Sequence, residues 1–223
     1  MPIKIIACEV MKEELLAVIN CHGAEFEFVS MGLHLYPEKL QKELQRIIDS
    51  SNGFSRIVLA FGLCGGAARG LTSNYSILTI PRVHDCIPIL LGSQDAYDKA
   101  RKEEAGTFYL SCGWFKGEKP TISEYRRISE KYGEKKARNI YKRMYASYSR
   151  MLFIKTGNPG EEAAFNMASE TSGLLELELK TTQGSTEYFN KIVCGPWEDL
   201  HFINIAPYGK IEYEDFINCY ALY

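Results

Sequence analysis

The sequence lacks every compact motif that would assign a cofactor at once. It contains no CxxC pair, no HExxH, no P-loop and no GxGxxG fingerprint. No apolar run approaches the roughly 18 residues that a membrane span needs. The first residues, MPIKIIACEV, lack the apolar core and cleavage site of a signal peptide. We therefore expect a cytosolic protein with no membrane association, in which any metal site is assembled from segments that lie far apart in the sequence.

A large excess of charge is also absent. Lys and Arg number 26 and Asp and Glu 28, so the net charge is -2, which argues against a nucleic-acid binder held by bulk charge. The 223 residues are 46% hydrophobic, as in ordinary globular proteins. We expect a single α/β domain over residues 1–223, or two closely joined lobes: residues 1–115, which carry most of the cysteines, and residues 116–223, which carry a basic helix.

Apolar segments typical of strands alternate with segments of helical periodicity along the chain. This alternation predicts a Rossmann-like α/β fold, a mostly parallel sheet with helices on both faces. The predicted strands are Ile3–Ala7, Glu25–Val29, Arg56–Phe61, Ile77–Ile80, Thr107–Ser111, Met151–Lys155, Leu174–Leu179 and His201–Ile205. The predicted helices are Glu9–Asn20, Pro37–Ile48, Ile87–Leu91, Gln94–Glu104, Ser123–Arg150 and Pro159–Ser172.

The long predicted helix Ser123–Arg150 is rich in Lys, Arg and Tyr. It is either a solvated face with packed tyrosines or a docking helix for an acidic partner or a phosphate.

Seven cysteines are present, and in a reducing cytosol we expect them to be unpaired. Four of them, Cys8, Cys64, Cys86 and Cys112, directly follow the first, third, fourth and fifth predicted strands. Ligands of open parallel sheets bind at the carboxyl ends of the strands, so we expect these thiols to share one edge. Cys8 and Cys64 become neighbours if the strand order is flavodoxin-like. The remaining three, Cys21, Cys194 and Cys219, have the positions of core or surface residues.

Thiols grouped at one edge predict one of two kinds of chemistry, unless they are buried core residues. Soft sulfur ligands bind zinc or an iron–sulfur cluster; alternatively, a thiol of lowered pKa acts as acid, base or nucleophile. For the metal, we predict Cys8, Cys64 and Cys86 as ligands, with Cys112, His84 or an exogenous group as the fourth.

His84 and Cys86 point the same way in an extended segment and can bind one ion together. In the other interpretation, His84 or Asp85 is a proton shuttle beside the thiol. A histidine bonded to the backbone in a turn is a third possibility.

Two arginines and a glycine-rich turn are candidate anion-binding elements. Gly65 and Gly66 have no side chains to cover their backbone N–H groups, and the turn Gly65–Gly70 also contains Arg69. Arg82 precedes His84 by two residues. We predict that these four residues bind a cofactor or substrate anion, unless the two arginines form surface or structural pairs.

At these motifs the sequence resembles an uncharacterised prokaryotic family, the domain of unknown function numbered 1638. The matching stretches are IIACEV, AFGLCGGAARGL, IPRVHDCIPILLGS and Gly106–Trp114, which cover roughly the first half of the chain. The resemblance implies anaerobic metabolism, often with corrinoid-dependent methyl transfer. Zinc-dependent methyltransferases of that metabolism use a His-x-Cys pair and another Cys, similar in composition to His84, Cys86 and Cys64 or Cys8.

Three functional hypotheses remain open at this point. The first is a zinc or iron–sulfur protein that acts on a small anionic substrate or with a corrinoid protein. The second is a metal-free thiol enzyme of the racemase type, with Cys64 and either Cys86 or Cys8 as the pair and Arg82 on the substrate carboxylate. The third is a non-enzymatic module that carries a corrinoid or metal and docks through residues 123–150.

Overall fold

The computed structural model describes residues 2–116 and 121–217. Within them the strands are β1 Ile3–Cys8, β2 Glu25–Val29, β3 Arg56–Ala60, β4 Ile77–Pro81, β5 Thr107–Leu110, β6 Arg150–Lys155, β7 Glu178–Gln183 and β8 Phe202–Ile205. The helices are α1 Lys12–Ala17, α2 Pro37–Ser50, α3 Ile87–Leu91, α4 Gln94–Glu103, α5 Thr121–Tyr132, α6 Glu134–Met144, α7 Glu161–Leu175, α8 Glu187–Cys194 and α9 Glu214–Ile217. The predicted α/β fold is thus confirmed, with the strands divided between two sheets.

The first sheet has the order β2-β1-β3-β4-β8. Strands β1 to β4 are parallel, and β8 pairs antiparallel with β4 at the edge. Every residue of β1 is buried, as are the last four residues of β3, which agrees with the continuous apolar runs of central parallel strands. β1 lies between β2 and β3, so the carboxyl ends of β1 and β3 are adjacent, as the flavodoxin-like order predicts.

The second sheet consists of three parallel strands in the order β5-β6-β7. β6 is buried up to Ile154 and lies in the middle, whereas β7 is largely exposed at the edge. A separate hydrophobic core lies under this sheet and includes Tyr125 and Tyr141. The two sheets do not divide the chain at residue 115. β8 follows that residue in the sequence but belongs to the first sheet, and β5 precedes it but belongs to the second.

Some predicted elements differ from the structure, and some observed elements were not predicted. The predicted strand Leu174–Leu179 is wrong: its first two residues end α7, Glu176 adopts a left-handed φ of 57°, and β7 begins at Glu178. The predicted long helix is divided at Gly133, whose φ of 85° interrupts helical geometry. Helix α8 was not predicted.

Four of the eight Lys and Arg residues of α5 and α6 are paired with carboxylates on the protein's own surface. Arg126 lies 2.6 Å from Glu170, and Lys142 lies 3.0 Å from Glu176. Arg127 and Arg138 pair with glutamates one turn away on their own helices. This pairing agrees with the solvated-face interpretation.

No helix in the described part of the chain is long and apolar enough to cross a membrane.

Candidate functional site: the carboxyl edge of the first sheet

Two loops pack against each other at the carboxyl ends of β3 and β4. Leu63 N–H donates to Val83 O at 3.0 Å, and Cys64 N–H donates to His84 O at 2.8 Å. Gly62 permits this contact, since a Cβ there would lie 2.6 Å from Asp85 N and 2.7 Å from Val83 O. The motifs GLCGG and PRVHDC are therefore one structural unit.

Cys64 has an unusual backbone conformation within this unit. Its φ of 48° lies in the left-handed region, which is unfavourable for a residue with a Cβ. Gly65 and Gly66 follow with φ of 68° and 95°. Strained backbone of this kind concentrates at functional sites, where the surrounding contacts enforce it.

The structure brings Cys8, Cys64 and Cys86 together. The Cys64 thiol interacts electrostatically with Cys8, and the Cys86 thiol interacts with both Cys8 and Cys64. The three residues end or follow β1, β3 and β4, which are neighbours in the sheet. Thiols separated by up to 78 positions in the sequence thus form one group, called the thiol cluster below.

The thiol cluster is largely shielded from water. Burial raises the pKa of Cys8 and the pKa of Cys64 to about 12. Burial also raises the pKa of Cys86 well above its ordinary value, and the neighbouring Asp85 carboxylate raises it further. All three thiols are therefore protonated at neutral pH unless a cation compensates their charge.

Asp85 and His84 lie beside the thiol cluster. The Asp85 carboxylate accepts a hydrogen bond from Ile87 N–H at 2.8 Å, in the turn that leads into α3. Burial raises the pKa of Asp85, whereas the Ile87 hydrogen bond and the nearby His84 lower it. The Asp85 charge acts on both Cys64 and Cys86. A proton-shuttle role for His84 and Asp85 remains a prediction.

Cys112 does not join the other thiols, so the prediction of four thiols on one edge is wrong for this residue. It follows β5, which lies in the second sheet. Burial raises the pKa of Cys112, Lys116 lowers it, and Glu14 raises it. The thiol of Cys112 thus has a lysine as well as glutamates as charged neighbours, whereas carboxylates are the charged neighbours of the thiol cluster.

The surroundings of Cys112 contain buried polar atoms without a hydrogen-bond partner. They are Glu14 Oε2, Ser111 Oγ and Asn158 Nδ2. The other oxygen of Glu14 accepts from the Thr156 hydroxyl at 2.7 Å. Such groups ordinarily bind buried water.

The candidate anion-binding residues have largely structural contacts. The Arg82 guanidinium donates to the backbone oxygens of Leu200, Asp215 and Phe202 at 3.1, 2.6 and 3.3 Å. It thereby fastens the loop after β4 to the C-terminal part of the chain. Gly66 N–H donates to Leu63 O at 3.0 Å, and the exposed Arg69 lies 4.0 Å from Glu212. Anion binding by Gly65, Gly66, Arg69 and Arg82 remains a prediction.

His34 is a site residue that the sequence analysis missed. Its Nε2 is buried without a hydrogen-bond partner, and burial lowers its pKa, so the ring is neutral. The ring stacks on Phe61 at 6.0 Å, three residues before Cys64. The single sequence contains no signal for it, because His34 stands alone in the segment after β2.

The segment that carries His34 touches the loops of two cluster cysteines. Met31 N–H donates to the Glu9 carboxylate at 2.8 Å, next to Cys8. At the other end, Pro37 Cγ lies 3.3 Å from where a Cβ on Gly65 would stand, next to Cys64. His34 therefore lies on a segment that contacts the neighbours of Cys8 and Cys64.

Cys21 and Cys194 form a disulfide across 173 positions, so the expectation of seven unpaired cysteines is wrong for this pair. The free cysteines among the described residues are Cys8, Cys64, Cys86 and Cys112. Cys219 lies outside the described residues.

Among the residues at 2–116 and 121–217, no group of three or more His, Cys, Asp or Glu side chains stands in a ready-made arrangement for a metal ion. The donor type of the thiol cluster nevertheless fits soft metals, since its three candidate ligands are all sulfur atoms.

The fold and the cluster together define a class: an α/β protein with parallel sheets and grouped thiols at the carboxyl edge of the first sheet. The chain belongs to the family described as protein of unknown function (DUF1638), which matches residues 28–193. The family resemblance is thereby confirmed. No curated protein and no solved structure matches the chain significantly.

Proposed function

We propose that Cys8, Cys64 and Cys86 bind a soft metal centre, either zinc or an iron–sulfur cluster. The observation that carries this proposal is the placement of the three thiols at the carboxyl ends of neighbouring strands, near enough for Cys86 to be influenced electrostatically by both Cys8 and Cys64. Soft sulfur donors favour these metals over magnesium or calcium. The left-handed backbone of Cys64 supports the proposal, because it holds the turn beside the loop that carries Cys86.

Binding requires the thiols to lose their protons and to rotate towards a common point. A bound cation supplies the charge compensation that the buried thiolates lack, so metal binding and proton release are coupled. Metal uptake then strengthens as the pH rises, since fewer protons compete for the sulfur atoms.

Three protein ligands leave one coordination position for another group. Cys112 is in the second sheet and is not a candidate from the same edge. His34 presents a neutral imidazole with a buried, unpartnered Nε2, the form that ligates metals. An exogenous thiol or small anion is the other candidate, and a zinc ion with an open position acts on such a ligand as a Lewis acid.

The thiol enzyme of the racemase type receives less support. Such chemistry needs one thiolate to remove a proton, and thiolates form where basic neighbours lower the pKa. Burial raises the pKa of all three cluster thiols instead. Docking through α5 and α6 is also less supported, because many of their cations are already paired.

The experiment is metal analysis of the full chain purified without oxygen. We expect about one zinc, or the iron of one cluster, per chain in the wild type and at least a tenfold lower content in Cys64→Ser. Cys112→Ser is the matched control, since it also removes a buried thiol at a strand end, and we expect it to retain the metal. Less than about a tenth of an equivalent in folded wild-type protein contradicts the proposal.

Two further measurements identify the centre and its fourth ligand. A broad visible absorption band indicates an iron–sulfur cluster, whereas a colourless, metal-loaded protein indicates zinc. Loss of metal affinity in His34→Ala, but not in the control His22→Ala, assigns the fourth position to His34. Unchanged affinity in both variants assigns it to an exogenous group.

A further inference from the structure

The Cys21–Cys194 disulfide joins two surface segments that are remote in the sequence. Cys21 is exposed in the connection between α1 and β2, and Cys194 is the last residue of α8 and is partly exposed. The four free cysteines of the described residues are Cys8, Cys64 and Cys86, in the cluster, and Cys112, in the second sheet. The disulfide is therefore accessible to a reductant, while the cluster thiols are largely covered.

The surroundings of the disulfide also accommodate the reduced state. Ile19 O lies 3.4 Å from Cys21 Sγ and 3.2 Å from Cys194 Sγ, so it can accept a hydrogen bond from either free thiol. His22 Nε2 lies 3.0 Å from Cys194 O. The centroid of the His22 ring lies 5.3 Å from the centroid of the Trp197 ring. These few contacts keep the two thiols within reach of each other after reduction, so that they can pair again, but they do not fix the segments as the covalent bond does.

We propose that Cys21 and Cys194 form a reversible redox clasp that exchanges with a dithiol reductant. A thiolate of the reductant attacks Cys21 Sγ, the S–S bond breaks, and Cys194 leaves as a thiolate that takes up a proton. The second thiol of the reductant then attacks the mixed disulfide and releases Cys21 as a thiol. The protein gains two electrons and two protons, and the reductant becomes a disulfide.

The clasp controls the mobility of the segment that leads away from Cys8. Residues 19–23 are exposed, and few other bonds hold them: Asn20 bonds to Ala24, and His22 contacts Cys194 O. Helix α1, which precedes them, starts four residues after Cys8 and packs on α8. Reduction therefore increases the mobility of α1 and of the connection between α1 and β2 before that of other segments. This inference does not depend on the metal proposal.

The test compares oxidised and reduced full-length protein. Under native conditions with excess dithiothreitol, mass spectrometry after alkylation should show two newly labelled residues, Cys21 and Cys194. Oxidised glutathione should restore the disulfide. Hydrogen exchange should rise at least threefold in peptides covering residues 9–24 on reduction, with no change in peptides covering α7.

Cys21→Ser is the matched variant and Cys112→Ser the control. Cys21→Ser should show the fast exchange in both redox conditions, whereas Cys112→Ser should respond as the wild type does. The proposal is overturned if the folded protein resists dithiothreitol, if the disulfide never forms under glutathione, or if exchange in residues 9–24 is the same in both states. A loss of metal binding with an intact clasp response affects the metal proposal alone.

Discussion

The carboxyl edges of the two sheets carry thiols in equivalent positions but in different environments. At the first sheet, Cys8, Cys64 and Cys86 have one another and Asp85 as electrostatic neighbours. At the second sheet, Cys112 has Lys116, Glu13, Glu14 and Glu161. The first edge therefore groups buried thiols with little other charge around them, whereas the thiol of the second edge lies among several charged side chains.

The difference shows that a position at a strand end does not by itself determine the surroundings of a cysteine. Strand order determines them, because β1, β3 and β4 are neighbours while β5 starts another sheet. The two edges nevertheless meet, since the turn after β5 packs on the turn after β1. Gly113 lies so close to Val10 that a Cβ there would be 1.8 Å from Val10 O.

The largest expected effect comes from breaking this contact between the two edges. Gly113→Ala places a methyl group against the Val10 backbone, which cannot move aside as a flexible side chain would. We expect a loss of about 3 kcal/mol in the free energy of unfolding, measured by denaturant titration.

Gly173→Ala is the matched control for that change. Gly173 lies in α7, and no atom would lie within 4 Å of an added Cβ. We expect a gain of up to about 1 kcal/mol, since alanine favours helix more than glycine does. Equal effects of the two variants would show that the edges are not in tight contact.

A second expected effect is alkaline destabilisation that originates in the thiol cluster. The folded protein keeps protons on Cys8 and Cys64 up to a pKa of about 12, whereas the unfolded chain releases them near the ordinary thiol pKa of 9.0. Their contribution to stability is therefore complete below about pH 9 and is lost as the pH rises towards 12.

The measurement is the free energy of unfolding of the metal-free protein across that alkaline range. Each thiol contributes a slope of at most ~1.4 kcal/mol per pH unit. Cys64→Ser should reduce the slope by up to that amount. An unchanged slope would mean that the Cys64 thiol is solvated.

The smallest expected effect separates the electrostatics of the two edges. Glu14→Gln removes a carboxylate that raises the pKa of Cys112, so that pKa should fall. Lys116→Met removes the cation that lowers it, so the same pKa should rise. The pH dependence of alkylation, followed residue by residue by mass spectrometry, measures both. An equal shift in the pKa of Cys64 would show that the same charges act on the thiols of both edges.

Much of the first edge could be predicted from the sequence. Buried parallel strands are marked by apolar runs such as RIVLAF, and in an α/β fold their carboxyl ends collect functional residues. Cys8, Cys64 and Cys86 follow such runs, and the structure brings these three together.

The position of Cys112, the disulfide and the role of His34 depend on contacts between segments that are distant in the sequence. The division into two sheets separates Cys112, and the sequence has no signal for where one sheet ends and another begins. The Cys21–Cys194 disulfide spans 173 positions, and spacing alone does not determine such a pairing. His34 stands in no motif and acquires its unpartnered, buried nitrogen only through packing on Phe61.

The central claim, that three thiols act as one set apart from Cys112, is tested most directly with arsenite, which bridges up to three neighbouring thiols. Metal-free protein with its disulfide intact is incubated with arsenite, unfolded in the presence of an alkylating reagent, and mapped by mass spectrometry. We expect one arsenic per chain, protection of Cys8, Cys64 and Cys86, and full alkylation of Cys112. Full alkylation of all four, or protection of Cys112 together with any cluster cysteine, would contradict it.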